Sequence, residues 1–348
     1  MCRPDTHDLR ETFGREVETV SAHATEEITQ AVHTAVEAAL WAPSPHNTQP
    51  WSFAVSGDEI SVRADSDRQL RTADPEGRQM LISCGAALFN VRLALRVLGY
   101  RPRVLVLPDP DRPALLATVR LAPGSGADEH SRLLHGEIER RRTHRAGFTA
   151  LPVPERLLEE LADQAATEGA RLTPVRSEAA VRVLSALTGA AQDVQSQDRA
   201  FGLEVLRWAR PPGSPRRDGV PAEGYPRTAR LTNPPFAQRD YTGGRPWGAD
   251  GSPDGSTGVV AVLTTRGDLR DDWIIAGQAL QRVLLHASAY DVSAAFHTQA
   301  LEMCHLREFL RLEMCSGEYP QMIMRLGFTS DDRPGTRRPL PEVLDELP

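Results

Sequence analysis

The loop from Pro43 to Trp51 constrains this chain most, because its nine positions hold three prolines, a serine, a histidine, an asparagine and a glutamine. Each proline fixes φ and removes a backbone donor, so the loop is stiff and its remaining polar groups are held in place. Ser44, Asn47 and Gln49 can hydrogen-bond a flat heteroaromatic ligand. An ordinary connection between a helix and a strand is the alternative. Stiffened polar loops commonly carry function, and we predict a ligand-binding loop.

Arginines form two further groups, at 141–145 and at Arg337-Arg338, and all forty basic residues of the chain are arginine. A guanidinium pairs with phosphate in a bidentate manner and keeps its charge, so such groups suit a phosphate-bearing ligand. A solvated basic run at the end of a helix is the alternative for the first group, since the helix dipole favours cations there. Beside the polar loop and the second pair, the first group predicts a phosphate site.

These segments resemble motifs of the FMN-binding nitroreductase family. The loop is similar to the family signature Pro-Ser-x-x-Asn-x-Gln-Pro-Trp, which it meets at seven defined positions in order. Arg141–Phe148, followed by Pro152–Glu155, resembles the family's arginine motif, with Thr143 in place of the usual serine. Gly327 and the segment 337–343 are similar to its closing basic segment. The motifs are short, but their arrangement covers most of the chain.

The resemblance implies an FMN site and NAD(P)H as the reductant. It implies these cofactor-binding residues: Ser44, Pro45, His46, Asn47, Gln49, Arg141, Arg142, Thr143, Arg145, Thr298, Arg337 and Arg338. By analogy Arg145 lies near the pyrimidine part of the flavin, where a cation raises the two-electron potential. The segment 296–300 is expected near flavin N5. No catalytic residue is assigned, and His297 and His46 are the only candidates.

The order of the motifs is reversed relative to an ordinary member of the family, because the proline-rich loop precedes the arginine motif. This order implies two degenerate copies in tandem, an arrangement known from the Acg-like branch. Residues 82–91 align with 274–283 at a constant offset of 192, although any two amphipathic helices share part of that similarity. We therefore predict an α+β fold of two nitroreductase-like halves, 1–125 and 126–348, that form a pseudo-dimer. Each half is expected to hold an antiparallel-type sheet flanked by helices.

Periodicity predicts the regular elements. Helices are expected over 25–42, 77–98, 128–142, 154–166, 177–208, 273–290 and 302–315, and strands over 51–55, 59–63, 103–107, 115–121, 171–175, 258–265, 292–298 and 321–328. Residues 209–256 hold nine prolines and eight glycines in 48 positions, so they are predicted to be an irregular insertion. The aromatic residues Tyr225, Phe236, Tyr241 and Trp247 favour an ordered, lid-like flap over the ligand. A solvent-exposed insertion is the alternative.

Composition narrows the class of protein. A chain of 348 residues has the length of two ordinary domains, and a formal net charge of −7 argues against a nucleic-acid binder. No run approaches eighteen apolar residues and the start of the chain is polar, so we expect no membrane span, no secretory signal and a cytoplasmic protein. The four cysteines, at positions 2, 84, 304 and 315, lack a CxxC pair. They are expected to be reduced side chains on a buried helix face, and no metal site is predicted.

The function expected from the resemblance is that of an FMN-dependent oxidoreductase. Two electrons would pass from NAD(P)H through FMN to a nitroaromatic or quinone-like acceptor, in ping-pong order. A protein that sequesters FMN under the insertion, with little reductase activity, is the main alternative. A dehydrogenase acting on a larger biosynthetic substrate and a duplicated protein without flavin are two others. The chain is expected to work as an intrachain pseudo-dimer, and a homodimer of two chains stays open.

Overall fold

The computed structural model describes residues 26–227, 232–249, 255–330 and 335–346. The helices are α1 (26–39), α2 (Arg78–Val97), α3 (Glu129–Gly136), α4 (Glu155–Thr167), α5 (Glu178–Gln197), α6 (Arg199–Trp208), α7 (Arg270–Ser288) and α8 (Cys304–Glu313). The strands are β1 (Trp51–Ser56), β2 (Glu59–Ala64), β3 (Tyr100–Val106), β4 (Leu115–Pro123), β5 (Arg171–Pro174), β6 (Val259–Thr265), β7 (Val292–Phe296), β8 (Tyr319–Phe328) and β9 (Leu344–Glu346). They form two sheets flanked by helices, which confirms the predicted α+β class.

The two sheets share one strand order. The first sheet runs β3-β4-β2-β1-β9 and the second runs β5-β6-β8-β7. In each sheet two strands precede a long helix and two strands follow it, and the four strands pair only in the antiparallel sense. The short strand β9 is the exception, because it returns from the end of the described chain to pair with β1 in parallel, with Phe53 opposite Leu344.

The helices α2 and α7 form the centre of the molecule and touch at two glycines. A Cβ atom on Gly85 would lie 2.3 Å from the carbonyl oxygen of Ile274, and one on Gly277 would lie 2.0 Å from that of Ile82. The contact is thus reciprocal, and only glycine allows the two backbones to approach so closely. Apolar side chains of both helices continue into one hydrophobic core that reaches both sheets.

By length and apolar composition α2 could cross a bilayer, but 78% of its most apolar 18-residue window is buried within the fold. A core helix of this kind meets the same criterion as a membrane helix. Cys84 lies in this helix and is buried, as predicted, whereas Cys304 is exposed and Cys315 is half-buried. The expectation of a buried helix face is therefore wrong for Cys304, which stands at the solvent-exposed start of α8. Cys2 lies outside the described residues.

Three predicted elements differ from the structure. The helix predicted over 128–142 ends at Gly136, and the chain then turns so that the backbone N–H groups of residues 140 and 141 bind the carbonyl of Glu137. The helix predicted over 177–208 is broken at Asp198, whose carboxylate caps the next helix by accepting from the N–H of Ala200. The strand predicted over 292–298 ends at Phe296, and a 3₁₀ turn, Gln299–Glu302, precedes the shortened helix α8.

The insertion is packed where the structure describes it, at 209–227, 232–249 and 255–256. Tyr225 and Tyr241 join a small apolar cluster with Phe201 and Trp208 of α6, and Trp247 packs against this cluster. Phe236 belongs to a different cluster beneath the second sheet. Aromatic burial thus holds both parts of the segment against the body of the protein. The remaining positions of the predicted insertion, 228–231 and 250–254, lie outside the described residues.

The close approach of α2 and α7 makes a prediction about stability. Gly277→Ala is expected to lower the free energy of unfolding by about 1–3 kcal/mol, the usual cost of overpacking a core, because the new methyl group meets the backbone of α2. Gly189→Ala in α5 is the matched control, because a Cβ atom added there would have open space for 4 Å around it. At position 189 alanine should raise the free energy of unfolding by about 0.5–1 kcal/mol, because its helix propensity is better than that of glycine. Urea unfolding measures the stability of both variants. Equal changes in the free energy of unfolding would contradict the close contact at Gly277.

Candidate functional site

The loop before β1 holds an unusual backbone. Residues Pro45–Asn47 form a single 3₁₀ turn, and His46, Asn47 and Gln49 take φ angles of 50°, 56° and 51°. These values lie in the left-handed region, which costs non-glycine residues free energy and persists where the surroundings fix it. The prediction of a stiff loop therefore has a geometric counterpart in three strained positions.

Asn47 and Gln49 fix this loop to distant parts of the chain. The Nδ2 of Asn47 donates to the carbonyl of Gly219 at 3.0 Å, and the N–H of Gly219 donates to the carbonyl of Asn47 at 3.1 Å. The Nε2 of Gln49 donates to the carbonyl of Arg217 at 3.0 Å, while its Oε1 accepts from the N–H of Arg338 at 2.8 Å. The two amides thus join the loop to the insertion and to the last segment of the chain.

Four arginines surround a cavity of about 110 Å³, which we call the arginine cavity. They are Arg141, Arg142, Arg145 and Arg337. Ser44, Asn47, Thr143 and Thr336 add hydroxyl and amide groups to its wall, and no carboxylate is part of the lining formed by the described residues. Four guanidinium groups in one lining, with no carboxylate from the part of the chain that the structure describes, are suited to a strongly anionic group.

Several nitrogens of two arginines in this cavity are buried and have no partner among the described residues. Arg141 donates through Nη2 to the carbonyl of Trp41 at 3.1 Å, but its Nε and Nη1, like the Nε of Arg337, have no such partner. Burial, followed by repulsion from Arg142 and Arg145, lowers the pKa of Arg141 to about 9. The pKa of Arg337 also lies well below its ordinary value, chiefly because of burial. An anion bound here would relieve both the repulsion and the missing hydrogen bonds.

A larger cavity of about 390 Å³ adjoins the arginine cavity and shares the wall formed by Pro43, Ser44, Thr143 and Arg145. The loop with His46 forms one side, and the end of β7 with the segment 296–299 forms another. Helix α2 contributes Gln79 and Ser83, and the insertion contributes Tyr225, Arg239 and Tyr241. The volume lies within the range of small-molecule sites, roughly 300–1,000 Å³.

His46 points into the larger cavity and pairs with a residue of the insertion. Its Nδ1 lies 2.8 Å from the hydroxyl of Tyr241, and the two rings meet edge to face. Burial, followed by the positive charge of Arg239, lowers the pKa of His46 to about 3. The imidazole is therefore neutral at ordinary pH.

His297 is occupied by structural contacts on both ring nitrogens. Its Nε2 accepts from the Nε of Arg325 at 2.7 Å, and its Nδ1 donates to the carbonyl of Ala237 at 3.2 Å. Burial, followed by the charge of Arg325, holds its pKa well below the ordinary value. Arg325 itself is fully buried in β8 and also donates to the carbonyls of Thr257 and Ala146, so it fixes the chain on either side of the cavity.

A buried ion pair closes the far side of the larger cavity. Arg239 of the insertion lies 2.5 Å from the carboxylate of Glu302, and both side chains are at most 9% exposed. The carboxylate also accepts from Gln79, Gln195 and the hydroxyl of Thr298. Burial alone would raise the pKa of Glu302, but Arg239 and these hydrogen bonds outweigh it and hold the pKa below its ordinary value. No motif marks this pair in the sequence, where its members stand 63 positions apart.

The structure brings most of the predicted site residues together. The larger cavity is lined by Ser44, Pro45, His46, Thr143, Arg145, His297 and Thr298, and the arginine cavity by Ser44, Asn47, Arg141, Arg142, Thr143, Arg145 and Arg337. Gln49 and Arg338 lie outside both linings. Arg338 instead binds Glu342 and supports the loop through Gln49. Residues 239, 241 and 302 complete the cavity and were not predicted as site residues.

Comparison with known proteins gives a consistent assignment. The family described as “Putative TM nitroreductase” matches residues 2–93. The Mycobacterium tuberculosis (strain H37Rv) protein named “Putative NAD(P)H nitroreductase Rv3131” is 33% identical over 322 residues, 91% of this chain and 91% of that protein. The protein named “Putative NAD(P)H nitroreductase acg” from the same strain is 27% identical over 325 residues, 90% of this chain and 95% of the other.

Solved structures are similar at a lower level. The FMN-dependent nitroreductase NfnB from Mycobacterium smegmatis in complex with NADPH matches 61% of this chain and 96% of its own, with 18% identity and a TM-score of 0.37. A nitroreductase with bound FMN from Desulfitobacterium hafniense matches 62% of this chain and 97% of its own, with 14% identity and a TM-score of 0.37. The assignment rests on the sequence relatives, whose similarity extends over nine tenths of both chains. The chain therefore belongs to the nitroreductase family.

Proposed function

We propose that this chain binds FMN across the two adjoining cavities and transfers two electrons from NAD(P)H to a nitroaromatic or quinone-like acceptor. The observation that carries the proposal is the arginine cavity, in which four guanidinium groups meet, the described lining residues include no carboxylate, and the space beside it is of small-molecule size. Relatives named as NAD(P)H nitroreductases support the choice of reductant, and the family signature in the loop supports the choice of cofactor.

The residues present fit FMN. Arg141 and Arg337 have buried guanidinium nitrogens with no partner in the described parts of the chain, and these are the donors that a phosphate dianion requires. Arg142 would add a further charge at the rim, where its guanidinium lies over the ring of Trp41 at 4.9 Å. Bound FMN would supply two-electron redox chemistry between a nicotinamide and an acceptor. The larger cavity would hold its ring between the loop at His46 and the end of β7.

Arg145 and the hydroxyl groups near it would orient the ring. Arg145 borders both cavities and has no hydrogen-bond or ion-pair partner among the described residues, so its charge is available to a ligand. Ser44 accepts from the N–H of Gln49 at 2.9 Å and keeps its own hydroxyl hydrogen for a ligand. Thr143 lines both cavities beside it. Asn47 and Gln49 would act by holding the loop in place.

The fold supports a fused pair of copies, divided at 1–125 and 126–348, as the origin of this site. Gly85 and Gly277 stand 192 positions apart, the same offset that relates the two helix sequences, and their contacts are reciprocal. Reciprocal contacts are the property of a two-fold interface between equivalent subunits. The shared strand order of the two sheets also supports an origin from two copies. The loop comes from the first half and the arginine motif from the second, so one chain would build one complete site.

The visible spectrum of the purified protein is the first test. We expect one FMN per chain and loss of its absorbance under anaerobic NADPH, because a single chain supplies both the loop and the arginines. Titration of the protein with FMN, followed by its fluorescence, gives the stoichiometry. A colourless protein that takes up no added FMN would overturn the proposal.

The phosphate role of the arginine cavity can be isolated with riboflavin, which lacks the phosphate. Arg142→Gln is expected to weaken FMN binding by about 10- to 100-fold, as a hydrogen bond to a charged group contributes roughly 1.5–3 kcal/mol. Riboflavin affinity should not change. Arg140→Gln is the matched control, since this neighbour is 63% exposed, pairs with Glu137 and lies outside both cavities. Equal losses for FMN and riboflavin would contradict a phosphate contact.

Sequestration of FMN is the second candidate, and the contacts of the insertion favour it. Within its described parts the insertion binds the loop through Gly219 and Arg217, pairs Asp218 with Arg68 at 2.8 Å, and closes the cavity with Tyr241 and Arg239. A segment held by so many contacts could act as a lid that keeps nicotinamide away from the flavin. Such a protein would bind FMN tightly and accept electrons from NADPH only slowly.

A double variant separates the two candidates. Arg239→Gln with Glu302→Gln removes the ion pair without leaving a buried charge unpaired. If the insertion is a lid, reduction by NADPH should become about tenfold faster for each 1.4 kcal/mol of closure that the pair contributes, while reduction by dithionite stays constant. Arg245→Gln, in the same insertion but outside both cavities, is the control. Fast reduction of the unaltered protein by NADPH would exclude sequestration.

A further inference from the structure

The pair of His46 and Tyr241 has a chemical arrangement that binding alone does not require. The two side chains come from segments 195 positions apart and meet inside the larger cavity through a hydrogen bond of 2.8 Å. The backbone of His46 is held at a φ of 50°, in the strained loop. Strained backbone that the surroundings maintain is often associated with function. In this protein the strained backbone of the loop places the imidazole ring of His46 at the cavity proposed for the ligands.

The second ring nitrogen of His46 has no hydrogen-bond partner among the described residues. Nδ1 is engaged by Tyr241, Nε2 is not engaged in this way, and the side chain lines the larger cavity. In a neutral imidazole one nitrogen carries a hydrogen and the other accepts. When the hydroxyl of Tyr241 donates to Nδ1, the hydrogen is on Nε2 and points to the cavity. His46 can then release a proton on one side and replace it on the other.

Reduction of a quinone-like acceptor needs such a proton. The acceptor gains a hydride, that is two electrons and one hydrogen, whose ultimate source is NAD(P)H, and one of its oxygens is left as a phenolate. One further proton on that oxygen completes the hydroquinone. A tyrosine hydroxyl is also a phenol and carries one hydrogen that it can donate. A positioned proton donor of this kind is what general acid catalysis requires.

We propose that His46 is the catalytic proton donor to the acceptor and that Tyr241 is the positioning residue that resupplies it. The Nε2–H bond breaks as the acceptor O–H bond forms, and Nδ1 takes the proton of the Tyr241 hydroxyl. Water later returns a proton to Nε2, and Nδ1 gives its own back to the phenolate, which restores the starting tautomer. This step rests on the proposed function, because it assumes an acceptor reduced in the larger cavity.

The charges around His46 keep its imidazole ring neutral. We call the transfer of a proton from Tyr241 through His46 to the acceptor the relay. Burial is the largest effect that disfavours an imidazolium, and Arg239 of the insertion and Arg145 of the arginine motif act in the same direction. Glu302 opposes them but is itself paired with Arg239. The histidine therefore does not titrate near neutral pH. Proton delivery through the pair should be independent of pH across the neutral range.

Tyr241→Phe tests the relay while it keeps the aromatic ring. FMN-loaded protein is reduced with dithionite and mixed with benzoquinone, or with ferricyanide, which takes electrons without a proton. We expect oxidation by benzoquinone to be about 100-fold slower in the variant, a usual contribution of general acid catalysis, and oxidation by ferricyanide to be unchanged. The quinone rate should fall further as pH rises, because solvent acid is then the remaining proton source. The unaltered protein should show no such slope.

The control is Tyr290→Phe, which alters another tyrosine beside a histidine. Its ring lies 5.2 Å from that of His286, outside both cavities. It should leave both oxidation rates unchanged. If Tyr241→Phe slows oxidation by benzoquinone and by ferricyanide equally, the pair only holds the insertion in place, and the relay is overturned. An unchanged rate of oxidation by benzoquinone would also overturn it. Failure of the protein to bind FMN would instead overturn the proposed function.

A second measurement does not depend on the loaded enzyme. Nitrogen-15 NMR of the protein without FMN should show His46 as a neutral ring with the hydrogen on Nε2, and this state should persist as the pH is lowered from 8 to about 5, because the pKa is about 3. In Tyr241→Phe the signal of Nδ1 should move to that of an acceptor without a donor. An imidazolium at pH 6, or a hydrogen on Nδ1, would contradict the relay.

Discussion

The contact of α2 with α7 at two glycines sets the distances on which the site depends. Helix α2 supplies Gln79 and Ser83 to the wall of the larger cavity, and α7 leads into β7, whose end supplies the opposite wall. The loop before β1 packs on α2, where the thiol of Cys84 donates to the carbonyl of Pro50. Separation of the helices by even one methyl group would therefore shift both walls of the cavity relative to the arginines.

The arginine cavity carries a stability cost that ligand binding can offset. Like charges gathered in a buried space repel one another, and buried donors without partners lose the hydrogen bonds they would make with water. Functional sites often retain such unfavourable groups because the ligand needs them. A dianion that binds only the folded chain removes both penalties, so cofactor binding and folding are thermodynamically linked. The aromatic ring of Trp41, which lies under Arg142 and Arg337, partly offsets the charge repulsion in the ligand-free protein.

Sequence patterns were informative where local chemistry determines structure. Proline density and the polar side chains of the loop predicted a stiff, ligand-facing segment. The arginine clusters far apart in the chain were predicted to form one site, and all of their predicted members except Arg338 line one cavity. The periodicity of apolar residues located the central helices to within a few residues. Predictions failed where a tertiary contact prevailed over a local pattern. The helix predicted to 142 stops at Gly136 because the following turn directs Ile138 and Arg141 into the protein.

Partners supplied by distant segments were beyond the reach of sequence patterns. Gln49 resembles a cofactor ligand in the motif, yet its amide binds Arg217 and Arg338. Arg239 and Tyr241 lie in a stretch whose prolines and glycines give no periodicity. The aromatic character of Tyr241 suggested a flap, but no pattern marked either residue as a part of the cavity wall. Their roles follow only from packing, because the insertion is held by its aromatic residues against α6. Motifs indicated most of the groups that line the two cavities, and the structure identified the groups that hold them in place.

The return of β9 to the first sheet has a consequence for how the protein is made. Strand β1 and the loop before it are synthesised early, but they are completed by contacts with the last segment, such as that between Gln49 and Arg338, 289 positions apart. During synthesis, domains generally fold as units, the N-terminal one first. Here the loop acquires its final support only when residues 338–346 have emerged. A truncated translation product would therefore retain every residue of the proline-rich motif and still lack the contacts that shape it.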